Sequence, residues 1–226
     1  MKLILTNDDG FDAPGLAALY KAAEGLGERT IVAPRAAHSG CSHQVTTDKP
    51  FGVTKSSETL YVVDGTPADC VRVALFHILP GAECILSGIN AGGNLGADVF
   101  HSGTIAAARE AVLHGRRAIA LSHYRKKGMA FDWEQAGRWV APLLVELLAR
   151  PATGAFWNVN LPHLESGAPM PEVVYCVVDR SPLPVNFRDE KGLLHYNGNY
   201  HERRRTFGTD IDICFGGKIA VSEVRV

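Results

Sequence analysis

Lys2-Leu3-Ile4-Leu5-Thr6-Asn7-Asp8-Asp9-Gly10 opens the chain. Its apolar run predicts a buried strand over Lys2–Thr6 that ends abruptly in two adjacent carboxylates and a glycine. Pro14–Leu26 follows, with Leu16, Leu19, Tyr20, Ala23 and Leu26 at helical spacing and a proline in the first turn. Arg29–Ala33 is a second apolar strand, closed by Pro34. Strand, helix, strand is the unit that builds parallel sheets, so the fold class is α/β. In such sheets ligands bind just beyond the carboxyl ends of the strands. An acidic pair placed there suits a hard divalent cation. The same residues also make ordinary turns, and Asp can cap a helix.

Further along, Ala36–Ser42 reads as a loop, and Gln44–Thr47, Gly52–Thr54 and Thr59–Val63 as β pieces of a small insertion near 44–63. Gly65-Thr66-Pro67-Ala68-Asp69 opens a helix through about Leu79, with Thr66 as cap and Asp69 completing a box. Cys84–Ile89 is a buried strand, Ala91–His101 a glycine-rich loop, Ser102–His114 an alanine-rich helix and Arg117–Ser122 a strand. Phe131–Arg150 is a long amphipathic helix with Asp132 and Gln135 as a capping pair and Pro142 inside it, where a kink is expected. Phe156–Leu161 is strand-like, residues from Pro169 onward form short β segments, and Asp189–Arg205 reads as an exposed loop or hairpin. The expected organisation is one domain over 1–226. Its α/β core spans about 1–125, and a C-terminal β-rich extension spans about 156–226.

The 226 residues are 46% hydrophobic and 21% charged, enough apolar material for a sizeable core. A formal net charge of -1 gives no global basic field for duplex nucleic acid. Five scattered cysteines without a Cys-x-x-Cys pair argue against a thiolate zinc site and for reduced thiols in a cytoplasmic protein. No signal-peptide pattern or membrane-length apolar run is present in the sequence.

Three predicted strands end in polar loops: Asp8-Asp9 after the first, Ser39 after the second, and Asn90 after Cys84–Ile89. In a parallel sheet these ends share one edge. Asp8, Asp9, Ser39 and Asn90 then form an all-oxygen set that suits magnesium, manganese or calcium rather than zinc or copper. Singly, Ser39 and Asn90 are ordinary loop or turn residues; their common placement is what singles them out. Gly92-Gly93-Asn94-Leu95-Gly96 leads to Ser102-Gly103-Thr104 at a helix start, where unpaired amides favour phosphate. Ser102 and Thr104 are candidate hydroxyl donors there, or plain caps. Neither a Walker loop nor a dinucleotide fingerprint is present in the sequence. A cation beside a phosphate cradle predicts phosphate-ester hydrolysis by water, with Asp8 or Asp9 as proton acceptor and His38 or His101 as candidate acid.

These motifs resemble the SurE nucleotidases. The matching residues are Thr6-Asn7-Asp8-Asp9-Gly10 with Ala13-Pro14-Gly15, Ala33-Pro34, Ser39-Gly40-Cys41-Ser42 and Gly65-Thr66-Pro67-Ala68-Asp69-Cys70. They continue with Ser87-Gly88-Ile89-Asn90-Ala91-Gly92, Asn94-Leu95-Gly96 and Ser102-Gly103-Thr104, then Asn158-Val159-Asn160-Leu161-Pro162 and Thr209-Asp210. The resemblance implies a Rossmann-like core and a metal-dependent phosphatase of nucleoside 5′-monophosphates, also acting on 3′-nucleotides and in some members on short polyphosphate. It implies Mg²⁺ or Mn²⁺ on Asp8, Asp9, Ser39 and Asn90, catalysis by Asp8, Asp9 and Asn94, and substrate contacts from Ser39, Gly40, Asn94, Ser102, Gly103 and Thr104. It also implies homodimers or homotetramers with C-terminal β elements exchanged between subunits. The chain departs from the family pattern at Arg35-Ala36, at His101 and at Gly216-Gly217-Lys218. Two other readings fit the same motifs: a non-catalytic nucleotide-binding regulator, and a sugar-nucleotide transferase, for which 226 residues leave little room.

Overall fold

A computed structural model describes residues 1–150 and 153–226. The first half contains β1 (Lys2–Thr6), α1 (Pro14–Ala22), β2 (Glu28–Pro34), β3 (Val53–Ser57), β4 (Leu60–Val63), α2 (Pro67–Val73), β5 (Cys84–Asn90), α3 (Asp98–His101) and α4 (Gly103–Leu113). It continues with β6 (Arg117–His123), α5 (Trp133–Ala149), β7 (Ala155–Leu161), β8 (Val173–Tyr175), β9 (Phe187–Glu190), β10 (Leu193–Tyr196), α6 (Asp210–Phe215) and β11 (Ile219–Arg225).

One nine-stranded sheet has the order β3-β4-β2-β1-β5-β6-β7-β11-β8. From β4 to β7 every neighbouring pair is parallel. The edges break the rule: β3 is antiparallel to β4, and β11 is antiparallel to β7. The period-two alternation of β1 divides its side chains between two cores. Leu3 and Leu5 pack with α1 and α5 residues such as Leu16, Leu19, Trp139 and Leu143. Ile4 packs on the other face with Cys70, Val71, Ile105 and Ala108 of α2 and α4. The result is the expected α/β core, with helices on both faces of the sheet.

Helix starts follow the sequence signals. Thr66 and Asp69 form a reciprocal capping box, Ser102 rather than Thr104 caps α4, and Asp132 caps α5 by accepting from the Gln135 amide. Pro142 lies inside an uninterrupted α5.

The expected insertion near 44–63 takes another form. Gln44–Thr47 is not a strand, and β4 pairs with β2, so β3 and β4 widen the main sheet. At the other end β7 belongs to the parallel core. The C-terminal extension adds β11 and β8 to the same sheet, together with α6, which the short β-rich pattern did not announce. The β9–β10 hairpin pairs only within itself, with Phe187, Leu193, Leu194 and Tyr196 exposed. Among the described residues all five cysteines are free and no helix is long and apolar enough to cross a membrane.

Candidate functional site

The chain leaves β1 for β2 on one side and later places β5 on the other side of β1. The carboxyl ends of β1 and β5 therefore flank the switch point of the sheet, where α/β folds open a crevice. Asp8 and Asp9 follow β1, and Asn90 ends β5.

Backbone bonds assemble the crevice. The Asn7 side chain folds the turn, donating to the Gly10 carbonyl at 2.8 Å and accepting from the Gly10 amide at 3.3 Å. The His38 amide donates to the Asp8 carbonyl at 2.7 Å, which brings the Ser39-Gly40 loop alongside the acidic pair. That loop is also tied to α3: the Ser42 amide donates to the His101 carbonyl at 3.0 Å, and the Ser42 hydroxyl to the Phe100 carbonyl at 2.8 Å. From β5, the Ala91 amide donates to Asp9 Oδ2 at 3.0 Å. Asn90 Nδ2 donates to the Gly92 carbonyl at 2.8 Å, which fixes the side chain while its Oδ1 accepts nothing from the described residues.

The α4 start closes the other wall. Thr104 Oγ1 donates to Asp8 Oδ1, so this hydroxyl proton is spent on Asp8 rather than left for a ligand. The Ser102 oxygen accepts from the Ile105 amide at 3.1 Å as the cap. Gly103 is required by space: a Cβ there would lie 2.8 Å from Asp8 Cβ and 3.0 Å from Cys41 Sγ. Gly15 serves β5 similarly, since a Cβ would sit 1.9 Å from the Ile89 carbonyl oxygen.

Electrostatics mark the acidic pair. Burial, opposed by the Thr104 hydroxyl and reinforced by the Asp9 charge, raises the Asp8 carboxyl to about 6. Burial also raises Asp9, with the Ala91 amide opposing. No Lys, Arg or His among the described residues forms an ion pair with either carboxylate. Two desolvated carboxylates without a cationic partner are a costly arrangement that a bound cation relieves. No cluster of three or more His, Cys, Asp and Glu suited to a metal is found among the described residues. A cation in this crevice would therefore use the acidic pair with neutral oxygens such as Ser39 and Asn90, a set suited to hard ions.

Asn94 is 4% exposed and locked by other strands. Its amide N–H donates to Asn160 Oδ1 at 2.8 Å and its side-chain nitrogen to Ser122 Oγ at 2.7 Å. Its carbonyl accepts from Asn158 Nδ2 at 2.9 Å and Asn160 Nδ2 at 3.1 Å. The next turns are held from the C-terminal part: the Gly96 amide donates to Asp210 Oδ2 at 2.8 Å, and Arg203 bridges Asp98 at 2.8 Å. The sequence reading missed these supports as functional residues. The signal for Asn158 and Asn160 was present: two amides at strand spacing on an otherwise apolar, fully buried strand.

Comparison with known proteins shows the family. The family model described as Survival protein SurE matches residues 3–180. A Nostoc sp. protein provisionally named a 5′-nucleotidase is 51% identical over 227 residues, covering 100% of both chains. A protein from Allorhizobium ampelinum named 5′-nucleotidase SurE is 35% identical over 239 residues, covering 100% of this chain and 92% of its own length. The crystal structure of the SurE protein from Aquifex aeolicus superposes with a TM-score of 0.88 at 29% identity, covering 100% of this chain and 93% of that one. The match of the family model over residues 3–180, relatives 35–51% identical over the full chain and the shared fold place this chain in the SurE family.

Proposed function

We infer that the protein is a phosphatase that releases phosphate from nucleoside 5′-monophosphates with a divalent cation, Mg²⁺ or Mn²⁺. The observation that carries this is the pair Asp8 and Asp9, desolvated and without a cationic partner, at the switch point of the sheet. The names of the relatives from Nostoc and Allorhizobium support the substrate class.

Asp8, Asp9, Ser39 and Asn90 would hold the cation, which when bound lowers the pKa of water and polarises a phosphoryl oxygen. The amides of Gly103 and Thr104 and the side chain of Asn94 orient the phosphate at the positive end of α4, while the Ser102 amide is held by the Asp98 carbonyl at 3.0 Å. Gly40 lets the backbone of the Ser39 loop approach the substrate. Asp9, less buried than Asp8, accepts the proton of the attacking water. His38, on the loop before Ser39, or His101, the last residue of α3, protonates the leaving oxygen. Nucleoside 3′-monophosphates and short polyphosphate present the same terminal phosphoryl group and belong to the same proposal. The exposed apolar side chains of the β9–β10 hairpin support a homodimer or homotetramer, and the free thiols support a cytoplasmic location.

Phosphate release from AMP, followed with Mn²⁺ or Mg²⁺ and then with EDTA, tests the reading. Activity is expected with either ion and should fall at least 100-fold on chelation; unchanged turnover in EDTA would refute the scheme. Tight metal and AMP binding without phosphate release would favour the regulatory reading.

A further inference from the structure

Beyond the crevice, the Ala91–Gly93 loop forms one wall of a second cavity of about 520 Å³. The two sites are joined by one residue: the Ala91 amide bonds Asp9, and Ala91 also lines the cavity. The opposite walls carry Tyr124, Tyr200 and His201. Ring contacts and hydrogen bonds brace this corner. Tyr124 stacks on Phe215 at 4.4 Å, and its hydroxyl bonds His201 Nδ1 at 2.8 Å, which fixes the imidazole. Tyr200 donates to Asp98 Oδ2 at 2.6 Å and lies against Gly93, where a Cβ would come within 3.6 Å of its hydroxyl oxygen. Arg203 bridges the same Asp98 and packs over the Tyr200 ring, so the aromatic corner is latched to the loop that carries Asn94. Arg125 and Lys127 stand at the rim, and neither forms an ion pair among the described residues.

We propose that this cavity is a nucleoside subsite, in which the base stacks in the Tyr124–His201–Tyr200 corner while the phosphate lies in the crevice. Its chemistry fits a flat heteroaromatic ring: aromatic faces for stacking, and basic side chains at the rim for ring nitrogens and carbonyls. Its volume falls in the range of small-molecule sites. The proposal rests on the phosphatase reading only for the position of the phosphate.

Calorimetric titration with adenosine, which has no phosphate, tests the subsite by itself. The wild-type protein is expected to bind adenosine. Tyr124→Ala and His201→Ala should each weaken it about tenfold, the size of one stacking contact. His201→Phe, which keeps a ring, should recover most of the loss. The ratio of kcat/KM for AMP over p-nitrophenyl phosphate should fall about tenfold in the alanine variants. No adenosine binding by the wild-type protein, or alanine variants with wild-type affinity and an unchanged ratio, would overturn the subsite. The two proposals separate cleanly. A protein that binds adenosine but releases no phosphate from AMP keeps the subsite and loses the phosphatase reading. One that releases phosphate but binds no adenosine does the reverse.

Discussion

Asp8→Asn is expected to lower kcat/KM for AMP by about 10²–10³-fold while raising the melting temperature of the chelated protein. Both effects come from one cause. Burial raises the folded-state Asp8 carboxyl from 3.8 to about 6. Between those values the native state holds a proton that the unfolded chain releases, so stability falls as pH rises through this window. Above about 6 the folded protein carries the full cost of an ionised, desolvated carboxylate, on the order of 3 kcal/mol. Asparagine is neutral at every pH and can still accept the Thr104 hydroxyl through its amide oxygen. Scanning calorimetry in EDTA should therefore show the variant melting above wild type at pH 7.5, with the gap closing toward pH 4. Near-normal turnover by a folded variant would remove Asp8 from the mechanism. A variant less stable than wild type at pH 7.5 would contradict the burial argument.

Arg203→Met should destabilise the protein by about 3–5 kcal/mol, because it strands a charge rather than removing a pair. The Arg203 side chain is fully buried, and its Asp98 partner is 12% exposed. Arg203 bonds Asp98 Oδ2 at 2.8 Å and the Leu95 carbonyl at 3.0 Å, so two bonds to the glycine-rich loop go with it. For a chain of this size the melting temperature should drop on the order of 10 °C. Adding Asp98→Asn to the variant removes the orphaned charge and should restore part of the loss. A single variant as stable as wild type would show that the ion pair contributes nothing net. A double variant as unstable as the single would show that packing, not charge, sets the cost.

Much of the candidate site was legible in the sequence because strand ends are legible. The apolar runs Leu3–Leu5 and Cys84–Ile89 stop at polar residues, and in a parallel sheet such stops share an edge. That logic nominates Asp8, Asp9, Ser39 and Asn90 for one region, and the structure sets the loops that carry them side by side through the His38–Asp8 and Ala91–Asp9 bonds. The helix caps at Thr66, Ser102 and Asp132 were legible because capping chemistry is local. What escaped was long-range. Asp210 reaches the Gly96 amide across 114 residues, and Arg203 reaches Asp98 across 105. No local pattern marks such pairs, and a polar stretch such as Asp189–Arg205 reads as solvated surface although Arg203 is buried within the fold. Likewise β3 and β4 read as an insertion because the spacing of short strands does not say which sheet they join; the β2–β4 pairing does.

The order in which the pieces of the crevice occur along the chain has a consequence for biosynthesis. The four proposed oxygen donors lie between positions 8 and 90, yet Asn94 and Gly96 are anchored by Asn158, Asn160 and Asp210. Synthesis runs from the amino end, and a domain generally folds as a unit. A ribosome-bound chain released as far as β6 therefore carries every proposed donor residue while the Asn94–Gly96 loop still lacks its braces. The Asn94–Gly96 loop should take its final form only when the last tenth of the polypeptide, which carries Asp210, leaves the exit tunnel.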